Sequence, residues 1–204
     1  MERRSCGGNV GIEERDGGGK RIVGHAAVFY DGSRGTEYEL WPGTFERVMP
    51  GSFDKALGDD VRGLFNHDSN AILGRTKSGT MRINVDAKGL RYEIDVPDTT
   101  VGRDVSESIR RGDVTGSSFG FQITDEQWLK VDGKRVREIR GVRLFDAGPV
   151  LFPAYEGTST GVRAEGSIEE ARASLAKYEA AEAEIVAAQR QERERKVRIL
   201  DLAT

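Results

Sequence analysis

Alternating apolar and polar residues through the middle of the chain predict a series of short antiparallel strands. Residues 21–30 are apolar on both faces, which is typical of a strand that is covered on both sides. Residues 81–85 and 90–96 alternate cleanly, and the loop 86–89 between them ends in a glycine that tolerates a positive φ. Glycine-containing turns recur between such segments. The pattern predicts a compact β-rich domain with many tight turns.

Further strands are predicted on either side of this hairpin. The segment 61–66 is a strand that delivers His67 at its end, and the chain returns to strand spacing at 114–123. The Asp-Gly turn at 132–133 precedes another strand, and the run 143–155 closes the domain. These predictions place several polar residues at or near strand ends.

One stretch switches clearly to helical spacing. Apolar residues recur at every fourth position from Val101 to Ile109, which predicts an α-helix. Thr99 or Thr100 can cap its first turn, and Gly112 ends it.

A second, shorter helix is predicted after Ser52, which is a good N-cap residue. Phe53, Ala56 and Leu57 then fall on one helical face. Gly58 closes the helix.

Composition divides the chain into three parts. Residues 1–20 are polar and glycine-rich and predict a flexible N-terminal arm. Residues 21–165 hold the predicted strands and form the main domain, whereas residues 166–204 are rich in Ala, Glu, Arg and Gln and predict a long exposed helix. Ser167 and Glu170 form a capping box at its start. The charge pattern of this helix fits a solvated tail and a partner-binding helix equally well.

Charge and cysteine usage exclude several classes of function. Lys plus Arg total 31 and Asp plus Glu total 34, and the net charge of -3 argues against binding nucleic acid by neutralising phosphates. The single cysteine, Cys6, cannot build a disulfide framework and suits a reducing cytoplasm. The first residues lack the apolar run of a secretory signal, and no stretch reaches the roughly 20 apolar residues of a membrane span. No metal-ligand spacing or phosphate loop is found, so we expect neither a metal nor a cofactor.

The chain has two histidines, and histidine is the side chain whose ordinary pKa suits base catalysis near neutral pH. His25 lies inside the apolar run VGHAAVF, where a packed or edge-strand histidine is the simpler interpretation. His67 lies where an apolar strand gives way to the polar loop HDSN. Such loops are where a rigid scaffold presents reactive groups. His67 is therefore the better candidate base.

The segment TGSSFGF is unusual because two glycines flank a Ser-Ser-Phe step within a strand. Glycine weakens a strand unless a bulge or a close backbone approach requires it, and a peptide lying beside the strand is one such approach. Alternation places Ser118 on an open face and the neighbouring Phe119 and Phe121 in the core. From this string alone, an ordinary strand with surface serines explains the pattern as well.

A nucleophilic serine needs a base within hydrogen-bond reach, and the base needs a group that orients it. His67 could take the proton of Ser118. Asp146 shares a face with apolar residues, where a carboxylate requires a partner, and is a candidate for the orienting acid. Asp68, beside His67, is the alternative acid, although a loop role explains it more simply. Ser52-x-x-Lys55 has the form of a serine–lysine pair, but the predicted helix cap accounts for it better.

The ordered set of motifs resembles the prohead proteases of tailed phages, whose fold is similar to that of the herpesvirus assemblins. The resemblance covers residues 21–163 and is carried by NHD, G-x-SFGF and PAY together. The matching segments are, in order, GHAAVF, FERVMPGSFDKAL, LFNHD with ILGRT, GLRYEIDV, SIRRGDVTGSSFGF, and LFDAGPVLFPAYEGT with Arg163. The resemblance implies an α+β, β-rich fold: a mostly antiparallel β-barrel with a few flanking helices, followed here by the long C-terminal helix.

The resemblance also implies roles for three residues. The histidine of the NHD motif corresponds to His67, and the serine of the SFGF motif corresponds to Ser118 rather than Ser117. The acidic position before the PAY segment corresponds to Asp146. The family more often has Glu there, followed by a β-branched residue and Ser, whereas this chain has Asp-Ala-Gly-Pro. The shorter side chain changes the reach toward the histidine.

The function implied by the resemblance is capsid maturation. The protease would act in the host-cell cytoplasm, inside the assembling prohead. It would cleave the scaffold protein or the scaffold-like segment of the major capsid protein, and itself. Assemblins pair through a helix, so a homodimer is expected by analogy. The alternative is an inactive capsid-assembly or scaffolding protein that binds partners through its C-terminal helix. The presence of both Ser118 and His67 argues against it.

Overall fold

A computed structural model of the chain describes residues 1–6, 10–15, 18–152 and 165–202. The described residues form an α+β, strand-rich fold, which confirms the predicted class. The strands are β1 Glu2–Cys6, β2 Val10–Glu14, β3 Lys20–Val28, β4 Glu37–Trp41, β5 Thr44–Val48, β6 Arg62–Leu64, β7 Ile72–Arg75, β8 Met81–Val85, β9 Gly89–Asp95, β10 Gly116–Val131 and β11 Lys134–Val150. The α-helices are α1 Thr100–Arg111 and α2 Glu165–Leu202, and short 3-10 helices span Arg34–Thr36 and Ala56–Gly58.

The strands pair in two sheets. The larger sheet has the order β1-β10-β11-β5-β4, and β6 pairs with the far end of β11 and with β7. The smaller sheet is antiparallel throughout, in the order β2-β3-β9-β8. Among the described strands these two sheets do not close into one barrel, so the barrel expectation is not confirmed. Strands of different sheets, such as β3 and β10, lie close together but do not pair through backbone hydrogen bonds. The two sheets therefore meet through their side chains.

A single hydrophobic core lies between the sheets. Tyr92 and Ile94 enter it from the smaller sheet, and Phe119, Phe121 and Leu144 enter it from the larger one. Phe119 and Phe121 stack with ring centroids 4.5 Å apart. Strand β10 is thereby anchored by its phenylalanines next to the serine at 118, which makes this segment a rigid platform.

The helix predicted from the four-residue spacing is confirmed as α1. Thr99 is its N-cap, and the side-chain oxygen of Thr99 accepts a hydrogen bond from the Gly102 N–H at 3.1 Å. Val105 and Ile109 are buried on its inner face. Gly112 ends the helix with a φ of 81°, the left-handed conformation that glycine adopts without strain.

The α-helix predicted after Ser52 is wrong, because this segment forms tight turns and a 3-10 helix. The chain makes successive turns closed by i to i+3 hydrogen bonds and finishes in the short 3-10 helix Ala56–Gly58. Phe53 and Ala56 are buried as predicted, but Leu57 is exposed. In so short a segment, few hydrogen bonds form to offset the unfavourable free energy of nucleating an α-helix. The burial of Phe53 and Ala56 stabilises the tighter 3-10 turns instead.

Residues 1–20 were predicted to form a flexible arm, but two described segments of this range are strands. Strand β1 pairs antiparallel with β10, and β2 pairs antiparallel with β3. The hydrophobic pattern misses β1 because its inward-facing residues, Glu2 and Arg4, are charged and buried through ion pairs.

The chain divides into two compact units, residues 1–167 and 168–204. The second unit is a continuous stretch of α2 with many charged, exposed side chains, including the i, i+4 pairs Arg190–Glu194 and Lys196–Glu192. The helix begins at Glu165, so Ser167 lies within it rather than at its cap.

The PAY segment and Arg163 lie outside the described residues. No helix in the described ranges is long and apolar enough to cross a membrane.

Candidate active site

The loop between β6 and β7 presents His67 on a tight turn. Asn66 and His67 have φ values of 53° and 58°, and the Asp68 N–H donates to the Phe65 carbonyl at 3.0 Å. Two central residues with positive φ closed by this bond are typical of a type I′ turn. Asn and His are among the residues that tolerate positive φ best, so the NHD sequence suits this turn.

The turn is fixed to the end of β11 by Asn66. Its backbone N–H donates to the Pro149 carbonyl at 3.1 Å, and its side-chain oxygen accepts from the Leu151 N–H at 2.8 Å. Two hydrogen bonds from one residue hold the turn against the strand that carries Asp146. The position of His67 relative to β11 is therefore set by the backbone and side chain of its neighbour Asn66.

Ser118, His67 and Asp146 meet in one hydrogen-bonded chain. The Nε2 atom of His67 lies 2.6 Å from the Ser118 Oγ. The Nδ1 atom of His67 makes a close hydrogen bond with the Asp146 Oδ1. Nδ1–H donates to the carboxylate, which leaves Nε2 as the atom that can take a proton from the serine. The structure thus brings together all three residues predicted for this site.

A glycine makes room for the carboxylate. Gly120 lies opposite Asp146 in the β10–β11 ladder, and a Cβ at residue 120 would overlap the Asp146 Oδ2 and come within 3.0 Å of its Cγ. Gly148 meets the Leu64 carbonyl in the same way where β6 runs along β11. The two glycines therefore leave room for the Asp146 carboxylate beside β10 and for the β6 backbone beside β11.

The other residues weighed from the sequence lie elsewhere. The Nε2 atom of His25 hydrogen-bonds with the Asp86 Oδ2 at 2.8 Å, at the turn between β8 and β9. Asp68 accepts from the backbone and side chain of Asn70, as a loop residue does. Ser52 is buried in the turns that replace the predicted helix.

The open face expected for Ser118 is wrong. Ser118 is 0% exposed, because β1 lies along β10 at this point. The Ser118 Oγ lies 2.8 Å from the Arg4 carbonyl oxygen, so the single hydroxyl proton can point to this oxygen or to His67 Nε2. The sequence held no clear signal for this contact, since ERRSC has neither the apolar alternation nor the turn residues that mark a strand.

A buried ion cluster accompanies β1 on the core side of the larger sheet. The side chain of Arg4 pairs with Glu46 and Glu2, and Arg137 pairs with Glu46 at 3.2 Å and with Glu126 at 2.6 Å. Desolvation opposes the charge on Glu46, but the guanidinium groups of Arg4 and Arg137 outweigh it and lower the pKa of this carboxyl. Burial raises the pKa of Glu2.

Within the described ranges, no group of three or more His, Cys, Asp or Glu side chains is placed to hold a metal ion. The chemistry available to this site from the described residues is that of a serine nucleophile, an imidazole base and an orienting carboxylate, which is the arrangement of a serine hydrolase.

Comparison with known proteins places the chain within this class. Residues 9–173 match the family of caudovirus prohead serine proteases, so the chain belongs to this family and is a serine protease. No curated protein matches the chain. Among solved structures, it is similar to the capsid assembly protease gp21 of bacteriophage T4, with a TM-score of 0.47 and 12% sequence identity over 72% of this chain and 95% of that one.

Proposed function

We propose that this protein is a maturation endopeptidase of the phage prohead, with Ser118 as nucleophile, His67 as general base and acid, and Asp146 as the orienting carboxylate. The observation that carries the proposal is the continuous hydrogen-bonded chain from Asp146 through His67 to Ser118. It acts in the host-cell cytoplasm inside the assembling prohead. Its substrates are the scaffold protein or the scaffold-like segment of the major capsid protein, and the protease itself.

In the first half of the reaction, His67 Nε2 takes the hydroxyl proton as Ser118 Oγ attacks the scissile carbonyl carbon. A tetrahedral intermediate with a negative oxygen forms. Asp146 keeps the imidazole in the tautomer with a proton on Nδ1 and stabilises the imidazolium. Backbone N–H groups aimed at the developing oxyanion typically contribute about 100- to 1000-fold in rate.

In the second half, His67 returns its proton to the departing amine and an acyl-enzyme remains on Ser118. A water molecule then attacks the acyl carbon while His67 takes one of its protons. Collapse of the second intermediate releases the carboxylic acid and restores the serine hydroxyl. The residues of this chain supply every proton transfer in the sequence.

The test is co-expression with the neighbouring capsid or scaffold protein, followed by a mass-resolved gel. The wild type should cut the partner and Ser118→Ala should not. Ser117→Ala is the matched control, because Ser117 is the adjacent buried serine and hydrogen-bonds with the Tyr92 hydroxyl at 2.9 Å, away from His67. Cleavage that persists in Ser118→Ala would refute the assigned nucleophile. Co-assembly without any cleavage by the wild type would favour the scaffolding alternative.

A further inference from the structure

Helix α2 separates its charges along its length. Residues 165–186 contain six acidic and two basic residues, whereas residues 187–202 contain five basic and three acidic residues. The helix dipole favours acids near the start of a helix and bases near its end, but this effect fades within the first and last turns. The dipole therefore does not account for a separation of charge that extends to the middle of α2.

One face of α2 carries this separation as an ordered stripe of five exposed residues. With 3.6 residues per turn, positions 179, 182, 186, 190 and 193 fall within an arc of about 80°. The residues at these positions are Glu179, Glu182, Val186, Arg190 and Arg193, which we call the α2 stripe. Val186 is 59% exposed although it is apolar. The α2 stripe thus consists of two acids, an apolar centre and two bases.

The α2 stripe is symmetric about Val186. Glu182 and Arg190 lie four residues to either side of it, about 6 Å along the helix axis. Glu179 and Arg193 lie seven residues to either side, about 10 Å along the axis. If a second α2 runs antiparallel and crosses at Val186, Glu182 faces Arg190 of the other copy. Glu179 then faces Arg193 of the other copy, and the two-fold axis repeats both pairs around the two valines.

The charges also select the direction of pairing. In a parallel pair, each position would face the same residue of the other copy, so acids would lie against acids and bases against bases. Within one chain, Arg190 pairs with Glu194 at 3.0 Å and its side chain is 81% exposed. So exposed an ion pair contributes little, and exchanging it for a pair between copies loses little.

We propose that the α2 stripe is an interaction surface for a second copy of this chain, and that two α2 helices pair through it in antiparallel orientation around Val186. This proposal goes beyond the proposed function, and it does not depend on the role of Ser118. Because the ion pairs are exposed, the association is weak and salt-sensitive.

The test measures self-association of the full chain by sedimentation equilibrium, in a Ser118→Ala background so that self-cleavage cannot shorten the helix. This reference chain should dimerise, with a dissociation constant that rises at least about 10-fold between about 0.05 and 0.5 M NaCl. Arg190→Glu with Arg193→Glu should weaken dimerisation at least about 10-fold, and so should Glu179→Arg with Glu182→Arg. An equimolar mixture of these two variants should associate at least as tightly as the reference chain, because an acidic stripe then meets a basic one.

A further variant, in which all four charges of the α2 stripe are exchanged, tests the direction of pairing. It should dimerise with itself as the reference chain does, because its acids and bases still face each other in an antiparallel pair. It should not pair with the reference chain, since like charges would then face each other. Pairing with the reference chain but not with itself would indicate parallel helices and would overturn the proposal.

The matched control reverses two charges on the opposite face of α2, at the exposed residues Glu184 and Arg195. Glu184→Arg with Arg195→Glu should leave dimerisation unchanged. Circular dichroism of every variant separates a loss of helix from a loss of pairing. A reference chain that stays monomeric at about 0.5 mM would overturn the proposal. Equal weakening in the control and in the stripe variants would also overturn it, because pairing would then not depend on this face.

Discussion

Gly120 and Asp146 lie opposite each other in the β10–β11 ladder, and the carboxylate occupies the space that a Cβ at residue 120 would need. A β-bulge follows at once, between Gly120 and Phe121. The glycine of the SFGF motif is thus explained by the space that the Asp146 carboxylate, the hydrogen-bond partner of His67, occupies. A conformational requirement for glycine is not involved, since Gly120 does not have a positive φ.

Gly120→Ala should therefore reduce activity far more than stability. The methyl group would displace Asp146 from His67 and cost up to about 10⁴-fold in kcat, while overpacking at one site costs about 1–3 kcal/mol. Peptide hydrolysis and thermal melting measured on the same sample test this. Gly58→Ala is the control, because a Cβ there meets no atom within 4 Å. Full activity in Gly120→Ala would show that Asp146 does not need its present position.

Asp146→Asn should lower kcat by about 10⁴-fold with little change in KM, because an amide can favour the wrong tautomer of His67. Asp146→Glu should also be impaired, since the carboxylate is buried between Gly120 and His67 and leaves no room for a longer side chain. Steady-state kinetics on a cleaved peptide measure both effects. A fully active Asp146→Asn would remove this residue from the proposed triad.

The two histidines offer an internal comparison. His67→Gln should abolish cleavage and slow fluorophosphonate labelling of Ser118, because the base is lost. His25→Gln should keep both activities, since the His25 ring hydrogen-bonds with Asp86 at the turn between β8 and β9, away from Ser118. If both variants lost activity alongside a similar fall in melting temperature, the effect of His67→Gln would be structural.

The sequence predicted the parts of this protein whose signals are local. The α1 helix has its cap, apolar spacing and terminal glycine within one short segment, and the β8–β9 hairpin is equally self-contained. The three residues that the structure brings together at Ser118 were also picked out from the sequence, through the family resemblance that the motifs around Ser118 and His67 carry. The hydrogen bonds among these residues could not be predicted from the sequence. They depend on the turn between β6 and β7, which is bound to the end of β11, a strand far away in sequence.

Strand β1 was missed for a different physical reason. Its two inward residues are charged, and their burial depends on Glu46 and Arg137, which are far away in sequence. A pattern of apolar positions cannot reveal an element that is held by ion pairs between distant strands. Because β1 covers Ser118, the same omission produced the wrong expectation of an open serine.

The Glu46 ion pairs should make stability depend on pH in a definite direction. The pKa of Glu46 in the folded protein is lowered from 4.5, so its contribution is complete above that value and is lost as the pH falls through the lower folded-state pKa. The contribution of Glu2 to stability changes with pH in the opposite direction, because burial raises its pKa. The difference between wild type and Glu46→Gln therefore isolates Glu46 better than the wild-type curve does. Urea unfolding should give a difference of about 3 kcal/mol at pH 7 that shrinks below pH 4.5. A difference that does not change with pH would contradict the ion pairs.

Arg4→Glu should release β1 and expose the nucleophile. The substitution places a carboxylate against the buried Glu46, which replaces an ion pair by a repulsion within the core face of the sheet. Fluorophosphonate should then label Ser118 at least about 10-fold faster, a change equivalent to about 1.4 kcal/mol. Arg3→Glu is the matched control, because it makes the same change in charge on the same strand at an exposed position. Equal labelling rates in the two variants would mean that β1 does not govern access to Ser118. Faster labelling of Arg4→Glu alone would mean that β1 limits access to Ser118.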